Sequence, residues 1–146
     1  MCYYLYGTVE GDVNENLFNK LNNMKYFKFK LGTYSSLVSC IKKGTEEFRL
    51  TNGMCDCATA IGGKNPSYDN ATLYEVDEEI EEYVEFIQSL TELRNIKNLY
   101  ICKKYNRDKL EGIIELQIDD IDDLNLFFAN IRPNLIYKIG LYKKYF

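Results

Sequence analysis

The order of apolar and polar positions divides the chain into short alternating runs and longer helical stripes. Residues 2–9 are aromatic and β-branched, which predicts a strand ending at the Gly11-Asp12 turn. Over residues 13–24, Val13, Leu17, Phe18, Leu21 and Met24 share one helical stripe, with Asp12 or Asn14 placed to cap it. Residues 26–31 alternate, with Phe27, Phe29 and Leu31 on one side and Lys28 and Lys30 on the other, as in a half-buried antiparallel strand. Residues 36–42 and 46–51 read as two further strands joined by a turn at Lys43-Gly44, a hairpin. Residues 52–75 lose all period, hold Gly53, Gly62, Gly63 and Pro66, and read as a long loop of the kind that tends to be functional.

The second half is more regular. Ile80, Tyr83, Val84, Ile87 and Leu90 recur at helical spacing and predict a helix over residues 77–94. Asp77 is its expected cap, and acids fill the first turn, where the helix dipole favours them. Strands are expected over 98–105 and over 112–118, the latter with Ile114, Leu116 and Ile118 on one face. A last helix is expected to start within residues 119–123, capped by Asp120, with Ile121, Leu124, Phe127, Phe128 and Ile131 buried and Pro133 ending it. Leu135, Tyr137, Ile139 and Leu141 align in a final strand over 135–142.

The predicted order is β-α-β-β-β-loop-α-β-β-α-β, an α+β fold with an antiparallel or mixed sheet of about six to seven strands and about three helices. The stretches 2–42 and 98–142 each have the element order of a split βαβ unit, so a ferredoxin-like arrangement is one expectation. Neither a repeat nor a linker interrupts residues 1–146, which are read as one α+β domain.

Composition narrows the chemistry. With 46% apolar and 27% charged residues, the chain can build a core and is not expected to be disordered. The abundance of tyrosine, asparagine, lysine and isoleucine matches AT-rich coding DNA and assigns no function. Histidine is absent, which removes Ser-His and Cys-His nucleophile pairs and any His-bearing zinc site. Gly62-Gly63-Lys64 resembles the end of a phosphate loop, but Ala58 and Asn65 break that pattern. A calcium loop starting at Asp12 fails because Leu17 stands where the sharp-turn glycine belongs and Asn23 where the bidentate glutamate belongs. No secretory leader is seen, Cys2 in place of glycine excludes the myristoylation pattern, and no apolar run is long enough to cross a membrane, so a cytoplasmic protein without membrane contact is expected.

Five cysteines, an odd number, point to reduced thiols in such a compartment. Cys55-Asp56-Cys57 sits in the long loop, where two sulfurs one residue apart are a candidate soft-metal grip or redox pair. The spacing is shorter than usual for zinc, and further ligands would have to come from Cys2, Cys40 or Cys102 on predicted strands. No cofactor is expected otherwise. Buried, inert thiols are the plainer alternative.

The net charge is −4, and the excess acid lies entirely in residues 75–146, with ten Lys/Arg and fifteen Asp/Glu against eight and seven before them. Such acidity disfavours nucleic-acid backbones as partners. Glu78, Glu81, Glu82 and Glu85 on the predicted helix, with Asp119, Asp122 and Asp123, form a candidate docking surface for a basic protein, although charge runs also serve simply as solvated faces. The basic and aromatic residues Arg94, Lys97, Tyr100, Lys103, Lys104, Tyr105, Arg107 and Lys109 could stack on single-stranded bases, but lysines guarding an edge strand are the favoured reading. The leading expectation is a non-enzymatic binding or inhibitor-type protein with a protein partner. The alternatives are a thiol or zinc protein built on Cys55 and Cys57, and an enzyme using tyrosine, lysine and carboxylates. A homo-oligomer that buries a sheet edge is compatible with any of them.

Overall fold

The computed structural model describes residues 3–11, 47–49, 76–92, 96–105 and 109–141. In chain order they form β1 (Tyr3–Gly11), β2 (Glu47–Arg49), α1 (Val76–Thr91), β3 (Ile96–Tyr105), β4 (Gly112–Gln117), a 3-10 turn (Ile118–Asp120), α2 (Leu124–Ala129) and β5 (Leu135–Gly140). This is an α+β arrangement. The expected helix over 13–24, the strands over 26–31 and 36–42, and the loop over 52–75 lie outside the described residues.

The described strands make one mixed sheet in the order β2-β1-β3-β5-β4. Four of them are six to ten residues long, and β2 contributes three. β1 runs antiparallel to β2 and β3, and β3 runs antiparallel to β5. β4 and β5 pair in parallel, as direct neighbours. That last pairing corrects the ferredoxin-like expectation for residues 98–142. A split βαβ unit needs a strand between the two parallel ones, whereas here β5 has β4 on one side and β3 on the other.

Helix α1 forms where the apolar stripe predicts it. Ile80, Tyr83, Phe86, Ile87 and Leu90 are buried, while Glu81, Glu85 and Gln88 face solvent. The helix begins at Val76, so Asp77 lies inside the first turn rather than capping it. At the other end, Ser89 Oγ donates to the Glu85 carbonyl (2.9 Å) and Thr91 Oγ1 to that of Gln88 (2.6 Å). The Gln88 carbonyl is one that the ending helix leaves without an intrahelical donor, while the Ser89 bond is a back-bond within the last turns.

Strand alternation then decides what α1 covers. Leu5 and Val9 of β1, Leu99 and Ile101 of β3, and Tyr137 and Ile139 of β5 pack with the α1 stripe and with Phe128, Ala129 and Ile131. Full burial of each such aliphatic or phenyl group is worth about 1.5–3 kcal/mol. Tyr137 carries a hydroxyl into this layer, and the backbone N–H of Arg132 donates to it at 2.9 Å, so the phenol oxygen is not left unsatisfied. The opposite face of the sheet buries Tyr6, Tyr100, Cys102 and Ile136, with Tyr4 and Leu110 against them. The inner strands are thus buried on both faces, which is why β5 hides Ile136 as well as the predicted Tyr137 and Ile139.

The last helix departs from expectation. Residues 118–120 make a 3-10 turn that stops at Ile121, whose backbone is extended. The helix itself begins after Asp123, whose carboxylate accepts the Leu126 N–H at 3.1 Å. Asp123, not Asp120, is therefore the cap, and α2 is only six residues long. Beyond it, Asn134 holds a left-handed backbone (φ 66°), a conformation asparagine tolerates better than most residues. That turn lets the Asn134 N–H donate to the Lys103 carbonyl (2.9 Å) while its own carbonyl accepts from the Glu111 N–H (2.8 Å), tying β3 to the start of β4.

Candidate functional site

Both helices and the 3-10 turn lie on one face of the sheet, joined by contacts such as Tyr83 to Phe128, with ring centroids 6.0 Å apart. The outer surface of this layer carries the predicted acidic residues. Glu81 and Glu85 are exposed on α1 and Glu82 is half-buried there, while Asp119, Asp120, Asp122 and Asp123 are exposed before α2. Glu78 belongs to α1, and its side chain lies outside what the structure describes. Asp123 also has a structural duty as the α2 cap.

No basic side chain interleaves with these acids along the chain. Residues 65–93 contain no lysine or arginine, and neither do residues 110–131. Pairs such as Glu78 with Glu82 and Glu81 with Glu85 put like charges four residues apart, an arrangement that costs a helix about 0.2–0.5 kcal/mol each. Dipole matching accounts for acids in the first turn of α1 only; Glu82 and Glu85 lie beyond it, and the last turn has no basic residue.

The other face of the sheet carries a chain of polar contacts that crosses four strands. Glu10 Oε2 on β1 accepts from Asn98 Nδ2 at 2.8 Å and from the Tyr100 hydroxyl at 3.4 Å, both on β3. Lys138 on β5 places its ammonium 5.9 Å from the Tyr100 ring centroid and 3.5 Å from Glu115 Oε1 on β4. Burial raises the Tyr100 pKa, Lys138 lowers it and Glu10 raises it, with a net upward shift. Desolvation pulls Lys138 down, but the charges of Tyr100 and Glu115 outweigh it and hold the ammonium above its ordinary value. A tyrosine held protonated and a lysine held charged are poor bases at neutral pH, so this chain orders the sheet face better than it accepts protons. Sequence spacing could not bring Glu10, Tyr100 and Lys138 together. The only local signal was the alternation that puts Asn98 and Tyr100 on one side of a strand.

The basic and aromatic segment is corrected by the topology. β3 is the central strand of the described sheet, not an edge, so its lysines do not guard an open edge. Tyr100 is 5% exposed and Lys103 fully buried, which leaves neither available to stack on or pair with a nucleic acid. Cys55 and Cys57 lie outside the described residues, as do Cys2 and Cys40. Cys102 is a buried thiol packed with Tyr6, Tyr100 and Ile136, as expected of a small apolar side chain. Among the described residues no group of three or more cysteine, aspartate or glutamate side chains is placed to hold a metal ion.

No helix among the described residues is long and apolar enough to cross a membrane. No protein-family model, no curated protein and no solved structure matches the chain.

Proposed function

We propose that this chain is a non-enzymatic binding protein, of the inhibitor or neutralising type, that engages a basic protein through the acidic outer surface of its helical layer. The observation that carries this reading is the run of acids along that layer with no base among them in sequence. Exposed acids recur at like-charge spacing on α1 and again before α2, in two stretches free of lysine and arginine. An ordinary solvated helix face mixes signs, because Glu–Lys pairs four residues apart stabilise it and like pairs do not. A surface that keeps like charges at this spacing gains when a basic partner supplies opposite charge and is steered to it. The same reading places the protein in the cytoplasm, with its thiols reduced.

The test is partner capture by the full chain and by a variant with Glu78, Glu81, Glu82 and Glu85 changed to lysine. The variant is expected to keep its circular dichroism spectrum and to lose capture. Undiminished capture by a folded variant would remove the acidic helix from the interface.

A further inference from the structure

Strand β4 lies at one end of the sheet formed by the described strands. It pairs with β5 alone among the described strands, and residues 111–115 are exposed. Its sequence, Gly-Ile-Ile-Glu-Leu-Gln, contains neither proline nor lysine, the residues that most often blunt an edge against further pairing. The exposed large apolar side chains of the described residues are Ile113 (49%), Ile114 (38%) and Leu126 (50%), two on this strand and one on the helix that follows it. Register separates the two faces of the edge. Ile114 and Leu116 stand opposite Tyr137 and Ile139, on the side covered by the helices, while Ile113, Glu115 and Gln117 share the side of Lys138. The surrounding charge is mainly acidic: Glu111, Glu115, Asp119, Asp120, Asp122 and Asp123 are exposed and no base occurs from 110 to 131, against Lys109 and Arg132 at the ends of that stretch and Lys138 beside Glu115.

We propose that β4 is a docking edge at which an extended partner segment adds a strand, its apolar residues alternating with lysines or arginines. Open backbone groups supply the hydrogen bonds, and alternation supplies the match. The partner's apolar positions would continue the row of Ile114 and Leu116, and its basic positions would stand beside Glu115, which is 75% exposed even though Lys138 lies 3.5 Å away. The sign of the charge selects against a second copy of this chain, because pairing β4 with itself brings Glu111 and Glu115 of both copies to one seam. This inference rests on the basic partner proposed above and names how part of that partner is held.

The test uses the full chain and a fluorescent heptapeptide of alternating lysine and valine, with a block-ordered peptide of the same composition as control. The alternating peptide should bind more tightly than the block peptide and should slow hydrogen exchange at alternate amides of Gly112–Gln117. Ile114→Lys and Glu115→Lys should each weaken it roughly five-fold or more. The triple variant Glu81→Lys, Glu82→Lys, Glu85→Lys separates the two proposals. If it abolishes peptide binding while the β4 variants do not, the edge proposal fails and the helix reading stands. If only the β4 variants matter, the edge stands and the helix reading loses its support. Equal binding of both peptides, or no exchange protection on β4 in the unaltered chain, would overturn strand addition. A dimer in sedimentation that Ile114→Lys dissolves would assign the edge to a second copy and overturn it too.

Discussion

At the residue scale, Asp123 shows how one carboxylate decides where a helix begins. Its bond to the Leu126 N–H satisfies a donor that a six-residue helix has few other means to satisfy. Asp123→Ala is expected to cost about 1 kcal/mol, and Asp123→Asn far less, read as urea midpoints. Tyr100 and Lys138 give a second expectation. Both pKa values are raised in the folded chain. The associated stability is complete below the ordinary titration range and is lost as pH climbs through the raised values. The window is therefore alkaline, above about pH 10. The double variant Tyr100→Phe, Lys138→Met should show a shallower fall in urea midpoint between about pH 9 and about pH 11 than the unaltered chain. Parallel falls would mean that the pair titrates alike folded and unfolded.

At the element scale, α1 and α2 are held to the sheet and to each other by few, large side chains. Phe128 is buried, lies 6.0 Å from Tyr83 and meets Phe127 edge-on at 5.4 Å. Phe128→Ala should cost about 3–5 kcal/mol, a large part of the roughly 5–15 kcal/mol of a typical domain. Phe127→Ala, at a half-buried position, should cost clearly less by the same denaturation assay. The elements here were legible to different degrees. The stripe Ile80, Tyr83, Ile87, Leu90 located α1 within a few residues. The run of acids at 119–123 offered several capping aspartates with equal local merit, and only the packing of Leu124, Phe127 and Phe128 selected Asp123.

At the scale of the whole molecule, the described bases lie outside the helices. Among the described residues the helical layer carries acids without bases, while Glu10 and Glu115 on the strands lie with Lys138 on the other face, and bases such as Lys97, Lys103, Lys104 and Lys138 belong to the strands. Two consequences follow for Glu85→Lys. It replaces a like pair with Glu81 by an opposite one, so thermal stability should hold or rise by a few tenths of a kcal/mol. Partner association should slow, and its salt dependence should flatten, because steering scales with the field of the whole face. Unchanged association kinetics with a raised melting temperature would reduce the acidic face to a solvated surface.

Among the described residues, local pattern located α1 and the strands β1, β3, β4 and β5, because a period of 2 or of 3.6 places apolar side chains on one side whatever the neighbours are. It also determined the absence of histidine chemistry and the two base-free acidic stretches. Strand order was decided only in three dimensions. That Lys103 is buried in the centre of the described sheet, that β4 rather than β3 lies at an end of it, and that Glu10, Tyr100, Lys138 and Glu115 share one face depend on contacts between residues far apart in the chain. Such pairings are selected by the free energy of the assembled core, and no window of sequence contains both partners.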